Sequence, residues 1–190
     1  SSNPFKDFLS KIKQLLKPEG KLIIAIENKY GLKYWCGAPE DHSGIPYDGI
    51  NNYIYSNIAR TFSKKQLERL VKSVGFSNTY FYYPLPDYKM PQVVYSEEYL
   101  PKNGSIDNWI PYYEPNGNSM ISDEEHIYGD LVDNDVFEFF ANSFMVECCA
   151  GNEDIGEIQY AVSSPFRNKE YNMITVYSKN DGFYKIADSD

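Results

Sequence analysis

The feature that most constrains the fold of this sequence is an apolar run at residues 22–26, Leu-Ile-Ile-Ala-Ile, with polar residues at both ends. A run this rich in isoleucine predicts a β-strand buried on both faces, and such strands belong to parallel sheets covered by helices. Pro18 and Gly20 lie just before the run and predict a turn that ends a preceding helix. Glu27 and Asn28 follow it, and ligands of open α/β sheets bind outside the carboxyl ends of strands. We therefore expect these two side chains to line a pocket.

Two amphipathic helices are predicted around this strand. The first spans residues 3–17, with Asn3 as its N-cap and apolar residues that recur at helical spacing and should face the sheet. The second begins after Ser63, which forms a capping box with Gln66, and ends at Gly75.

The remaining regular structure is predicted to be mainly strands. Residues 123–140 are expected to be helical in part, and Asn180-Asp181-Gly182 is a strong hairpin signal. Strand-like runs occupy residues 79–83, 91–96, 143–149, 158–163, 173–178 and 183–187.

The segment LLKPEGKLII at residues 15–24, together with the helix that ends in Gly75-Phe76, resembles the late half of a class I S-adenosylmethionine-dependent methyltransferase. Glu19 stands where that family more often has glycine. The resemblance implies an α/β fold with a partial Rossmann-like sheet of late strands and an antiparallel edge hairpin in residues 1–100. An irregular connector would follow at 101–122, and an appended α+β segment with antiparallel strands at 123–190.

A long loop between residues 28 and 59 carries the most unusual composition, and loops of this length are often functional. Glu40, Asp41 and His42 place two carboxylates beside an imidazole, which suits a general base, a metal-ligand pair or a substrate clamp. A polar turn between Pro39 and Gly44 explains the same residues without a function.

Residues 27–44, ENKYGLKYWCGAPEDHSG, resemble a segment of methyltransferase-like proteins from bacterial cell-surface polysaccharide clusters. The resemblance implies a sugar or glycan precursor as methyl acceptor. His42 is the candidate base, with Glu40 or Asp41 orienting it. The candidate substrate-binding residues are Glu27, Asn28, Tyr30, Trp35, Tyr53 and Arg60. Arg60 suits an anionic group, although a solvated surface arginine is the alternative.

The family binds its cofactor through a Gly-rich loop, and no Gly-x-Gly pattern occurs in this sequence. We therefore expect a fragment whose intact parent uses S-adenosylmethionine, while this chain binds the cofactor weakly and is inactive alone. A rival hypothesis is a non-catalytic binding or scaffolding module in polysaccharide biosynthesis. A third is a metal-dependent hydrolase built around Asp41 and His42, although no metal site is predicted.

The composition of the chain limits the classes of partner that it is expected to bind. A net charge of −9 argues against nucleic acid, and no apolar run is long enough to span a bilayer. Three cysteines, two of them adjacent, make a poor disulfide framework and indicate reduced thiols in a cytoplasmic protein. The 18 tyrosines have two explanations: tyrosine has a high propensity for β-strands, and its ring and hydroxyl suit contacts with sugars. The strand at residues 22–26 is expected to expose an edge that promotes self-association.

Overall fold

The structure, a computed structural model, describes residues 3–56, 59–106, 119–151, 154–163 and 167–187. Part of the predicted connector, residues 107–118, lies outside the described residues. The described residues form a mixed α/β fold, with one extended sheet and a few helices.

The helices are short except for the first and third. They are α1 (Pro4–Leu15), α2 (Leu32–Trp35), α3 (Lys64–Ser73), α4 (Tyr128–Asp133) and α5 (Phe137–Phe140), with 3-10 turns at Glu124–His126 and Lys169–Tyr171. The strands are β1 (Leu22–Glu27), β2 (Asn78–Leu85), β3 (Val93–Ser96), β4 (Ser143–Cys149), β5 (Ile158–Val162), β6 (Met173–Ser178) and β7 (Gly182–Ala187). The predicted strands are thus confirmed with shifts of a few residues at their ends.

The seven strands form one sheet in the order β1-β4-β2-β3-β5-β6-β7, and every pairing between neighbouring strands is antiparallel. The predicted parallel pairing is therefore wrong, and a Rossmann-like sheet is not confirmed. Strand β4 lies between β1 and β2 and is antiparallel to both, so β1 and β2 run in the same direction.

Strand β1 is not buried on both faces, as its composition predicted. It pairs with β4 at the end of the sheet, and its side chains alternate between half-buried and exposed until the buried Glu27. Ile23 is 62% exposed. The unbroken apolar run thus lies in an edge strand with one half-buried face and one exposed face.

The sheet crosses the predicted domain boundaries. Strand β4 comes from the segment after residue 122, yet it hydrogen-bonds to both β1 and β2 from residues 1–100. Strand β5 then continues the same sheet beyond β3. Residues on both sides of the predicted connector thus build one sheet rather than two.

The local helix signals are confirmed. Asn3 accepts hydrogen bonds from the backbone N–H groups of Phe5 and Lys6, and Ser63 and Gln66 form the reciprocal capping box of α3. Helix α1 packs mainly against α3 rather than against the sheet, and the Lys13 ammonium donates to the Gly75 carbonyl at 2.7 Å.

The core lies between these helices and the central strands. Phe81 of β2 and Phe144 of β4 are fully buried and meet edge to face at 5.5 Å. Leu67 and Val71 of α3 are buried in the same apolar cluster. The most deeply buried part of the sheet thus lies next to β1. Its strand β4 forms the backbone pairing that sets the register of β1.

Among the described helices, none combines the length and the apolar composition needed to cross a membrane.

Candidate functional site

The carboxyl ends of β1 and β2 meet at the same edge of the sheet because both strands flank the antiparallel β4. Glu27, the last residue of β1, pairs in register with Ser143 at the start of β4. The Ser143 hydroxyl also accepts a hydrogen bond at 3.0 Å from the backbone N–H of Tyr88, just beyond β2. The side chains that follow β2, from Asp87 to Lys89, are thereby placed beside Glu27.

Helix α2 is anchored over this edge by asparagine side chains. The Asn142 side-chain oxygen accepts a hydrogen bond at 2.9 Å from the backbone N–H of Lys33. Asn28 is 1% exposed and donates to the carbonyls of Phe139 and Ala141, each at 2.8 Å. Its oxygen accepts from the Tyr30 N–H at 3.0 Å. Asn28 therefore fixes the start of the loop and, since its polar atoms are engaged, does not offer them to a pocket.

Five charged side chains meet at this edge, and we call them the ionic cluster: Glu27, Lys33, Asp41, Asp87 and Lys89. The Lys33 ammonium is 2.8 Å from Asp41 Oδ2 and 3.4 Å from Asp87 Oδ2. Lys89 donates a hydrogen bond to Glu27 Oε1 and lies 3.5 Å from Asp41 Oδ1 and 3.9 Å from Asp87 Oδ1. Two ammonium groups thus bridge three carboxylates.

The lysines keep the carboxylates ionised despite burial. Burial by itself raises the pKa of Glu27, but the hydrogen bond from Lys89 and the charge of that lysine lower it below its usual value. Burial likewise opposes ionisation of Asp41, and Lys33 and the Tyr34 hydroxyl lower its pKa overall. The opposing charges raise the pKa of Lys89 against the effect of its own burial. The carboxylates of Glu27 and Asp41 are therefore held in their ionised form by the lysines beside them.

His42 lies beside this cluster with its side chain 42% exposed. Its Nε2 atom is 4.0 Å from Glu27 Oε2, which is longer than a hydrogen bond but within electrostatic contact. The half-exposed imidazole thus lies between solvent and the buried Glu27 carboxylate.

Glu40, predicted as a partner of the imidazole, instead contacts the main chain. It is 2% exposed, and its Oε2 atom accepts hydrogen bonds from the backbone N–H groups of His42 at 2.7 Å and Ser43 at 2.8 Å. Asp41, the other predicted partner, is paired with Lys33. Glu40 therefore shapes the turn that presents His42, whereas the polar-turn interpretation assigned the capping of this turn to Asp41.

The predicted aromatic walls are not gathered around His42. Tyr30 stacks on Phe139, with ring centroids 5.1 Å apart, and the 41%-exposed Trp35 meets Phe140 edge to face at 6.3 Å. Tyr53 is buried, and the structure places it with Arg60 in a separate pocket, described below.

A metal site does not form from the described residues, where no group of three or more His, Cys, Asp or Glu side chains has a suitable arrangement. The lysines occupy the positions between the carboxylates that a cation would need. The metal-dependent hydrolase hypothesis thus receives no support from this site.

Sequence reasoning missed the members of the ionic cluster that lie far apart in the chain, Lys33, Asp87 and Lys89. A partial signal was present for two of them, since Asp87 and Lys89 lie in and just after the turn predicted to follow the strand at residues 79–83, and the observed β2 ends at Leu85. Recognising it requires knowing that β1 and β2 run in the same direction, which no local pattern gives.

Comparison of the chain with models of protein families, with curated proteins and with solved structures finds no match in any of the three.

Proposed function

We propose that this chain supplies the acceptor-binding side of a methyltransferase that acts on a hydroxyl-rich molecule, a sugar or a glycan precursor. The observation that carries the proposal is the pair of Glu27 and His42, a buried ionised carboxylate 4.0 Å from a half-exposed imidazole at the carboxyl end of β1. The resemblance of residues 15–24 and 27–44 to methyltransferases is the reason for choosing methyl transfer as the reaction.

The residues of the site suit an acceptor hydroxyl. His42 would accept the proton of the acceptor hydroxyl as the hydroxyl oxygen attacks the methyl group. Glu27 would stabilise the resulting imidazolium. Lys89 holds Glu27 in its ionised form, so the carboxylate is available without first losing a proton. The partly exposed ammonium of Lys89 is also a donor for a sugar hydroxyl.

The ionic cluster does not fit S-adenosylmethionine itself. Its sulfonium is a cation, and at the ionic cluster it would meet the ammonium groups of Lys33 and Lys89. The carboxylates there already pair with these lysines, and the sequence has no Gly-x-Gly loop. We therefore assign the cofactor to a different part of the intact parent and derive no step through it.

A non-catalytic sugar-binding or scaffolding module is the alternative, and one observation favours it. Tyr99, Tyr160 and Phe183 line a separate aromatic pocket of about 480 Å³ on the β3–β5 side of the sheet. Exposed rings of this kind bind the apolar faces of sugars. A module of this type would bind glycans without needing His42.

The two functions can be distinguished by measuring the binding of neutral methyl hexosides with saturation-transfer NMR. The variants are His42→Ala, Tyr99→Ala and His126→Ala, the last removing an exposed histidine outside the site. Loss of hexoside signal in His42→Ala alone supports the acceptor site, and loss in Tyr99→Ala alone supports the binding module. The absence of any hexoside signal would contradict both.

The catalytic part of the proposal is tested in a longer protein that joins this sequence to a cofactor-binding half. His42→Ala should there lower kcat by about 100-fold or more, the usual contribution of a general base, while His126→Ala leaves kcat unchanged. An unchanged kcat in His42→Ala would overturn the assignment of the base.

A further inference from the structure

A second pocket, of about 380 Å³, lies on the other side of the long loop, between that loop and helices α1 and α3. Three cationic side chains line it: Lys29, Arg60 and Arg69. No Asp or Glu side chain is among the described residues that line it, although the whole chain carries a net charge of −9. We call it the basic pocket.

Lys29 is an unusual residue in this pocket because it is only 3% exposed. Its backbone N–H donates to the Phe62 carbonyl at 3.2 Å, and its ammonium donates to the side-chain oxygen of Asn52, a neutral group. Within the described part of the chain, no carboxylate pairs with Lys29. Burial lowers the pKa of this ammonium, and the positive charge of Arg60 lowers it further.

Both arginines are also free of ion pairs with the described carboxylates. The Arg60 guanidinium lies over the ring of Tyr53, 5.8 Å from its centroid. That ring is held in place, because the Tyr53 hydroxyl accepts a hydrogen bond from the Thr61 backbone N–H at 2.6 Å. Arg69 comes from the exposed side of α3. Three positive charges therefore line one pocket without a counter-ion among the described residues.

In each of the three amide side chains that line the basic pocket, the oxygen atom is already engaged as a hydrogen-bond acceptor. The oxygen of Asn3 accepts from the N-terminal N–H groups of α1, that of Gln66 accepts from the Ser63 N–H at 3.1 Å, and that of Asn52 accepts from Lys29. Each of these donors has no accepting capacity, so the amide orientations are fixed. The NH₂ groups are then left to donate, and the pocket offers donors from six side chains.

We propose that the basic pocket binds a phosphate group carried by a small molecule. Arginine and lysine donors without a counter-ion favour a tetrahedral oxyanion, and arginine forks match phosphate geometry. The volume exceeds that of inorganic phosphate and lies in the range of small-ligand sites, which leaves room for the group that is esterified to it. An anion would also offset the mutual repulsion between Lys29 and Arg60. This proposal is independent of methyl transfer, since neither His42 nor Glu27 lines the basic pocket.

The test is a calorimetric titration with inorganic phosphate, pyrophosphate and glucose 6-phosphate, at low and at high NaCl concentration. Tighter binding of the ester than of inorganic phosphate identifies a phosphorylated metabolite as the ligand class, whereas equal affinity overturns that part of the proposal. Glucose without phosphate serves as the control for the sugar alone, and any heat that it gives should be the same in Arg60→Gln as in the wild type.

The variants are Arg60→Gln and Arg69→Gln, both at exposed positions, with Lys72→Gln as the matched control. Lys72 lies on the same helix as Arg69 and carries the same charge, but it does not line the basic pocket. We expect each arginine variant to weaken phosphate binding by about tenfold or more, the value of a charge-assisted hydrogen bond, and Lys72→Gln to change it by less than about twofold. Equal weakening in all three variants would indicate a general charge effect and overturn the proposal, as would the absence of saturable binding in the wild type.

Discussion

The carboxylate of Glu40 accepts a hydrogen bond from the backbone N–H of His42 at 2.7 Å, so the two residues are linked through the main chain rather than through the imidazole. The same carboxylate accepts from the Ser43 N–H and, at 3.3 Å, from the Tyr53 hydroxyl. One buried acid therefore connects the turn that presents His42 to the wall of the basic pocket. The two candidate sites share this structural support.

Glu40→Ala should destabilise the fold by about 2–4 kcal/mol, because it leaves the two backbone donors of His42 and Ser43 without their acceptor. Urea unfolding measures the loss, and hydrogen exchange at residues 42 and 43 should rise in the native state. Glu40→Gln retains an acceptor oxygen and should lose about half as much. If Glu40→Ala unfolded at the wild-type urea midpoint, the structural role assigned to this side chain would be wrong.

Lys89→Met should lower the free energy of unfolding by about 1–3 kcal/mol at pH 7, since it leaves the buried Glu27 carboxylate without its main partner. The folded-state pKa of Glu27 is below its unfolded value, so this stabilisation is present above the unfolded pKa and is lost as pH falls through the folded pKa. The difference between wild type and variant should therefore be largest near neutral pH and should shrink as the pH falls below the ordinary glutamate pKa of 4.5.

The matched control for this prediction is Lys179→Met. Lys179 pairs with Glu98 at 2.8 Å, but both side chains are largely exposed, so removal should cost less than about 1 kcal/mol. Urea unfolding at a series of pH values compares the two variants. A pH-independent difference for Lys89→Met would show that its pairing with Glu27 does not determine the pKa of that carboxylate.

Self-association through β1 stays a prediction, and the structure provides a variant to test it. β1 pairs with β4 on one side at the end of the sheet, and Ile23 is 62% exposed. Light scattering over a concentration series should detect association of the wild type, and Ile23→Lys should abolish it because a charge on an edge strand opposes pairing. Ile54→Lys, at a position 67% exposed in the long loop, should leave association unchanged. A wild type that stays monomeric at high concentration would contradict the prediction.

The cysteines should be unreactive in the folded protein. Burial, together with the charges of Glu124 and Asp123, raises the pKa of Cys36 to about 11, and burial raises that of Cys148 to about 12. Thiolate is the reactive form, so at pH 8 only about one Cys36 thiol in a thousand would be ionised. Labelling with a chromogenic disulfide should be slow for the native chain and should reach all three cysteines in urea. Rapid native labelling at Cys36 or Cys148 would show that the thiol is accessible.

Local sequence signals predicted the elements of the fold well because each depends on neighbouring residues. The Asn3 cap and the Ser63–Gln66 capping box mark helix starts through hydrogen bonds that span two or three residues. Asn180-Asp181-Gly182 predicted the hairpin between β6 and β7 for the same reason, since Gly182 adopts a φ of 69° in this turn. The position of Glu27 at the end of the first strand likewise drew attention to the edge of the sheet where the ionic cluster lies.

The sequence by itself thus determined where helices and strands lie and which loop carries His42. Only the tertiary structure decided that β4, more than a hundred residues after β1, inserts between β1 and β2 and makes the sheet antiparallel. That insertion brings Asp87 and Lys89 to Glu27, and the packing of α2 adds Lys33. The physical reason is that the hydrophobic pattern of a strand records which of its faces are apolar but not which partner its backbone will bond. Charged contacts between distant segments follow from that choice of partner.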